Sequence, residues 1–167
     1  WWLPDASNIP AGYATHGSDY CHVNSLGVRD CTYTPGAALF EYSNNQYPAT
    51  IFFHDHTLGI TAENVYSGMV GFYLLKGAVG VHDVANLPAG RYEIPLAIQD
   101  RSFNPDGSLF STAQGNMIVV NGKTWPYLRV EPRRYRFRIV NGADSRNFAL
   151  SFGGGLKFTQ IGADQGF

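Results

Sequence analysis

The sequence has little cysteine, almost no net charge and no long hydrophobic run, and each shortage excludes a class of protein. The only cysteines are Cys21 and Cys31. No C-x-x-C is present, and His22 beside Cys21 is one isolated ligand, so no zinc knuckle can be built there. The intervening HVNSLGVRD is polar and contains glycine, and it reads as a loop. Two states of the pair stay open. A bridge would close a small ring and contribute about 2–3 kcal/mol in an oxidising compartment, whereas free thiols suit the cytosol. The bridge is the expectation adopted here. Lys and Arg number 12 against 13 Asp and Glu, a formal net charge of -1. That balance provides no field for nucleic acid or an anionic membrane surface. No segment approaches the ~18 apolar residues of a membrane span; Met69–Val81 comes nearest and is broken by Gly71, Lys76, Gly77 and Gly80. No signal peptide is visible, and the chain opens on Trp1-Trp2 and closes on Gln165-Gly166-Phe167. It therefore reads as an internal piece of a longer protein.

What is present is a core's worth of apolar residues, 44% hydrophobic and 14% aromatic, over a length of 167 residues. This is about one ordinary domain and too apolar for disorder. The chain is organised around Ala49–Leu58, ATIFFHDHTL. Thr50, Ile51, Phe52 and Phe53 are β-branched and aromatic, types that suit a pleated surface. The strand ends in His54-Asp55-His56. Side chains on a strand alternate, so His54 and His56 leave on one face and Asp55 on the other. The two histidine Cα atoms then lie about 6.6 Å apart. Two imidazoles at that spacing can converge on one metal or hold one metal each of a close pair. Zn, Cu, Fe and Ni all accept neutral imidazole, so the pair does not choose the metal. An isolated His-x-His is common, and what distinguishes this one is its place at the mouth of an apolar strand.

Elsewhere the pattern is of short strands and turns. Residues 1–36 read as a long surface loop, and Ala38–Tyr42 as a strand. Thr61 reads as the N-cap of a short helix through Tyr66 that ends at Gly68. Val70–Leu75 reads as a returning strand buried on both faces. Lys76–Gly90 is a polar connection, after which Tyr92–Gln99 begins a new run. Asn104-Pro105-Asp106-Gly107 is a turn, and Asn121-Gly122 between Met117–Val120 and Thr124–Val130 is a hairpin signal. In Arg134–Asn141, Tyr135, Phe137 and Ile139 share one face. Arg134, Arg136 and Arg138 share the other, expected to be the outer face. That alternation accounts for three of the five arginines between Arg129 and Arg138 without nucleic acid. Phe148–Phe152 and Lys157–Ile161 complete the expected strands. The fold class is all-β, a sandwich or barrel.

With these residues in view, the chain resembles the multicopper oxidases, most of all the branch of bilirubin oxidases and laccase-like spore-coat oxidases. ATIFFHDHTLGITAENVYSGMVGFYLL (residues 49–75) is similar to the family's "YHDH" strand, "GIT" turn and "NVY-G-GFY" return, in that order. IPLAIQDRSFNPDGSL, VVNGKTWPYLRVEPRRYRFRIVNGADSR and FTQIGADQGF resemble the opening of the family's second cupredoxin domain. Ala62-Glu63 after "GIT" is closer to fungal bilirubin oxidases than to spore-coat members, many of which carry Arg and Leu there.

The resemblance implies a cupredoxin-like Greek-key β-sandwich, with parts of two consecutive cupredoxin domains. Residues 1–76 would close the first, 77–90 would link, and 91–167 would open the second. It implies copper as cofactor, with His54 and His56 as ligands of the binuclear type 3 pair, one to each ion. It implies an enzyme that oxidises phenolic, tetrapyrrole or similar substrates and reduces O₂ to water. Its partners would be O₂, a small reducing substrate and the missing domains of the same parent chain. An extracellular or otherwise extracytoplasmic location goes with the family. Asp55 is expected to hold the histidine backbone by hydrogen bonds rather than to touch metal. His16, His22 and His82 lie outside any family motif and read as surface residues. Five histidines cannot furnish all the copper sites, so this piece alone should not reduce O₂. Two rival readings remain at this point. One is a structural or interaction protein that kept the fold and lost part of its copper sites. The other is a zinc hydrolase, which needs a third ligand and an open position.

Overall fold

The computed structural model describes residues 22–31, 42–77 and 86–163. His16, Cys21, His82, all but Tyr42 of the strand expected at Ala38–Tyr42, and residues 78–85 of the expected link lie outside this set. The chain divides into two compact units, Trp1–Asn45 and Gln46–Phe167.

In the first unit, the stretch read as a loop between the cysteines contains a small hairpin. Strand β1 (His22–Val23) pairs antiparallel with β2 (Arg29–Asp30). Asn24 makes the turn, its Oδ1 accepting the backbone N–H groups of Leu26 and Val28 at 3.0 and 3.1 Å. This local side-chain bonding is how Asn closes turns, and it is why a polar, glycine-containing segment holds paired ends. Cys31, just beyond β2, is disulfide-bonded.

The second unit begins with β3 (Ala49–His54), then helix α1 (Thr61–Tyr66) and β4 (Val70–Leu75). Strands β3 and β4 pair antiparallel from Ala49↔Leu75 to His54↔Val70. Most of β4 is half-buried rather than buried on both faces, and Tyr73 is exposed. Thr61 is the first helical residue, not the cap. Its hydroxyl donates back to the Thr57 carbonyl at 2.7 Å, a bond that competes with capping.

A single 3₁₀ turn at Gly90–Tyr92 leads into β5 (Glu93–Phe103), the longest strand described. Three strands pair with it directly. Strand β6 (Leu109–Phe110) folds back across the Asn104–Gly107 turn, β7 (Met117–Val120) runs antiparallel, and β9 (Arg136–Asn141) runs parallel. Strand β8 (Lys123–Thr124) pairs with β7 across Asn121-Gly122, whose φ angles of 49° and 80° are those a two-residue hairpin turn demands. Asn121 also ties this turn to β5, with Ala97 N–H donating to its Oδ1 at 2.8 Å and its Nδ2 donating to the Pro95 carbonyl at 2.9 Å. Ile98, Val119 and Val140 are the buried aliphatic residues of this sheet.

Three expected strands differ. The one at Thr124–Val130 stops at Thr124, and none forms at Phe148–Phe152 or Lys157–Ile161. In the last two, one phenylalanine of each makes ring contacts instead. Phe152 and Phe158 meet edge-on, with centroids 5.8 Å apart, and Phe152 lies 6.5 Å from Phe137 of β9. A strand needs a ladder partner, and among the described residues these segments have none.

The arginine face of β9 is also reversed from expectation. Arg136 and Arg138 point inward and are buried, while Ile139 is 46% exposed. The cause is Glu93 in the neighbouring strand. It stands 2.6 Å from Arg138 Nη2 and 3.5 Å from Arg136 Nη1, and Arg138 also donates to Thr50 Oγ1 of β3. Burial pushes the Glu93 carboxyl up, but the Arg138 hydrogen bond and the charges of Arg138, Lys76 and Arg136 prevail. The group is held below the ordinary glutamate range. A buried charge is tolerable only when paired, and alternation alone does not reveal a partner 43 residues earlier.

Candidate metal centre

Strand β3 carries the histidines to its open end. The aromatic rings of Phe52, His54 and His56 form a column, with centroids 5.8 and 5.9 Å apart and planes inclined by 26° and 28°. His54 and His56 thus lie on one side, although β3 itself ends at His54. Both are exposed.

The proton on His54 is fixed by what its ring meets. Nδ1 lies 2.7 Å from the Asp55 carbonyl oxygen. A carbonyl can only accept, so Nδ1 carries a hydrogen, and in the neutral ring the lone pair is then on Nε2. That is the form in which an imidazole binds a metal through Nε2.

Every polar group of Asp55 is engaged. Its backbone N–H donates to the Met69 carbonyl at 3.1 Å, and its own carbonyl receives His54. Its Oδ1 accepts the Thr57 hydroxyl at 2.8 Å. Its Oδ2 accepts the Thr57 N–H and Asn64 Nδ2, both at 3.0 Å. These bonds, led by that from Asn64, hold its carboxyl below the usual aspartate range. Met69 N–H in turn donates to the Asn64 carbonyl at 3.1 Å. Asp55, Met69 and Asn64 therefore close a ring of three hydrogen bonds between the end of β3 and the α1–β4 turn. Asn64 was not singled out in the sequence. The only signal for it was its place in the "NVY" block.

Among the described residues no three His, Cys, Asp or Glu side chains gather where they could hold a metal ion. The third ligand of the zinc-hydrolase reading is not among them. His54 and His56 fit one side of a shared metal site: two exposed imidazoles, side by side, one with its tautomer set. Among the described residues, no helix is long and apolar enough to cross a membrane.

No family model matches the chain. Curated proteins do. A laccase of Bacillus stratosphericus is 40% identical over 77% of this chain and 29% of its own length. Multicopper oxidase LPR1 of Arabidopsis thaliana is 35% identical over 98% of this chain and 32% of its own. A bilirubin oxidase of Albifimbria verrucaria is 38% identical over 87% of this chain and 27% of its own. The chain thus spans less than a third of the length of these relatives. Among solved structures, the 2F4 variant of the McoA multicopper oxidase from Aquifex aeolicus superposes with a TM-score of 0.53 at 34% identity. That match covers 59% of this chain and 23% of the other. The strand-rich architecture and this neighbour make the fold all-β and cupredoxin-like.

Proposed function

This chain belongs to the multicopper oxidase family, and on that premise we propose that it supplies His54 and His56 to the type 3 copper pair of an O₂-reducing oxidoreductase, one imidazole to each ion. The observation that carries the proposal is the His54–His56 column with His54 held as the Nδ1–H tautomer. When bound, copper would supply the redox chemistry of an oxidation of a phenolic, tetrapyrrole or similar substrate coupled to reduction of O₂. The residues of this chain do the rest of the work assigned here. The His54 and His56 rings present donors on one exposed side, the Asp55 carbonyl keeps the His54 proton away from Nε2, and the Asp55 carboxylate fixes the turn that follows. The remaining ligands would come from other domains of the same protein.

The same reading assigns residues 1–76 and 91–167 to successive cupredoxin domains joined by 77–90. It is supported by the separate ladders of β3–β4 and of the β5-centred sheet. A Cys21–Cys31 bridge and an extracytoplasmic location belong to it as well, supported by the disulfide-bonded state of Cys31.

Copper content and O₂ consumption of His54→Ala and His56→Ala, measured in the whole protein, test the proposal. Each variant should lose copper from the pair and lose O₂ consumption almost completely. Copper content and turnover close to those of the unaltered protein in both variants would overturn it.

A further inference from the structure

Helix α1 has six residues, too few to hold its own position in water. Its place is set by what grips it: the Asp55–Asn64 bond on one side and β5 on the other. Arg101 is 3% exposed. Its guanidinium donates through Nη1 to the Asp100 carbonyl at 2.7 Å and through Nη2 to the Val65 carbonyl at 2.9 Å. The Val65 carbonyl, at the C-terminal turn of α1, also accepts the Gly68 N–H at 3.0 Å, and a cation is favoured at that end of a helix. The same guanidinium lies 4.4 Å from the centroid of the Tyr66 ring. The Tyr66 hydroxyl donates to the Phe110 carbonyl at 2.7 Å and accepts the Ser102 N–H at 2.9 Å. Val65 and Tyr66 follow Asn64 directly, and Asn64 donates to Asp55.

Resting on the copper reading above, we propose that Arg101 is a positioning residue for the His54–His56 pair. It fixes α1, Asn64 carries that hold to Asp55, and the Asp55 carbonyl sets the tautomer of His54. Arg101 touches neither histidine. Its effect should appear in the state of the His54 ring and not only in stability.

The test uses ¹H–¹⁵N NMR of the imidazoles at a pH above the histidine range, with Cu(I) affinity by ligand competition as a second readout. Unaltered protein should show His54 with its proton on Nδ1. In Arg101→Met, His54 should become a mixture of tautomers, and Cu(I) affinity should fall by about 10–100-fold, the scale of losing a partner behind a metal ligand. Arg101→Lys retains one donor of the fork and should fall between. Asn64→Ala cuts the last link without touching β5 and should give the same mixed His54 tautomer. The double variant Arg101→Met/Asn64→Ala should lose little more than either alone, since both act on one route. Retention of the Nδ1–H form in Arg101→Met, or losses that add in the double variant, would overturn the proposal. If Arg101→Met does not fold, Arg101→Lys and Asn64→Ala decide, and an unchanged His54 ring in both overturns it. Failure of the copper reading is separately visible: Cu(I) affinity would then survive His54→Ala and His56→Ala, whatever the tautomer does.

Discussion

Asp55 illustrates how much a single residue can fix. Its carboxylate accepts three hydrogen bonds, from Thr57 N–H, Thr57 Oγ1–H and Asn64 Nδ2–H. In Asp55→Asn one oxygen can keep the Thr57 N–H and Asn64 bonds. The new amide would face the Thr57 hydroxyl, which can rotate to accept. Asp55→Ala loses all three. A Cu(I) competition titration should therefore find Asp55→Asn close to the unaltered protein and Asp55→Ala weaker by about 10–100-fold. Equal losses in the two would show that charge, and not bonding geometry, is what the site needs. Strand alternation was sufficient to send Asp55 away from the rings in the sequence. It could not supply Asn64, because a bond between residues nine apart depends on where a helix turns. Gly115 was equally hidden. Its N–H donates to Asp100 Oδ2 at 2.8 Å, and a Cβ there would stand 2.3 Å from the Arg101 backbone nitrogen.

At the scale of elements, the parallel pairing of β5 with β9 sets Glu93 opposite Arg136 and two residues from the partner of Arg138. One carboxylate answers two buried guanidinium groups, and Arg138 reaches on to Thr50 in β3. Glu93→Gln removes the charge and leaves both arginines buried, so unfolding free energy should drop by about 3–5 kcal/mol. Lys76 is mostly exposed and adds little. The pH dependence follows from the sign of the shift. Glu93 is held below its ordinary value of 4.5 in the folded chain, so its contribution is present above that value and is lost as pH falls through the folded one. Urea unfolding at neutral and acidic pH should show the gap between unaltered protein and Glu93→Gln closing on acidification; a gap independent of pH would contradict the pairing. The local patterns were readable in the sequence for β3, β4, β7 and the Asn121-Gly122 turn, where apolar, β-branched and aromatic runs lie between turn residues. They misled at β9, because alternation specifies which residues share a face but not which face is inside. They misled again at residues 148–161, where apolar side chains form an aromatic cluster in place of a ladder.

Among the described residues, polar contacts join the two blocks of family likeness. Arg101 and Tyr66 tie α1 to β5 and β6, and Arg138 ties β9 to β3. The all-β class was legible because short strands and turn signals recur from Ala38 onward. The joins were not, since each links residues 36 or more positions apart through side chains with no periodic signature. Whether the His54–His56 column holds copper is tested by anomalous X-ray scattering at the copper edge from crystals of the copper-loaded whole protein. A pair of copper peaks is expected, one against Nε2 of His54 and one against the His56 ring. Copper peaks elsewhere in the crystal, with none at these two rings, would contradict it.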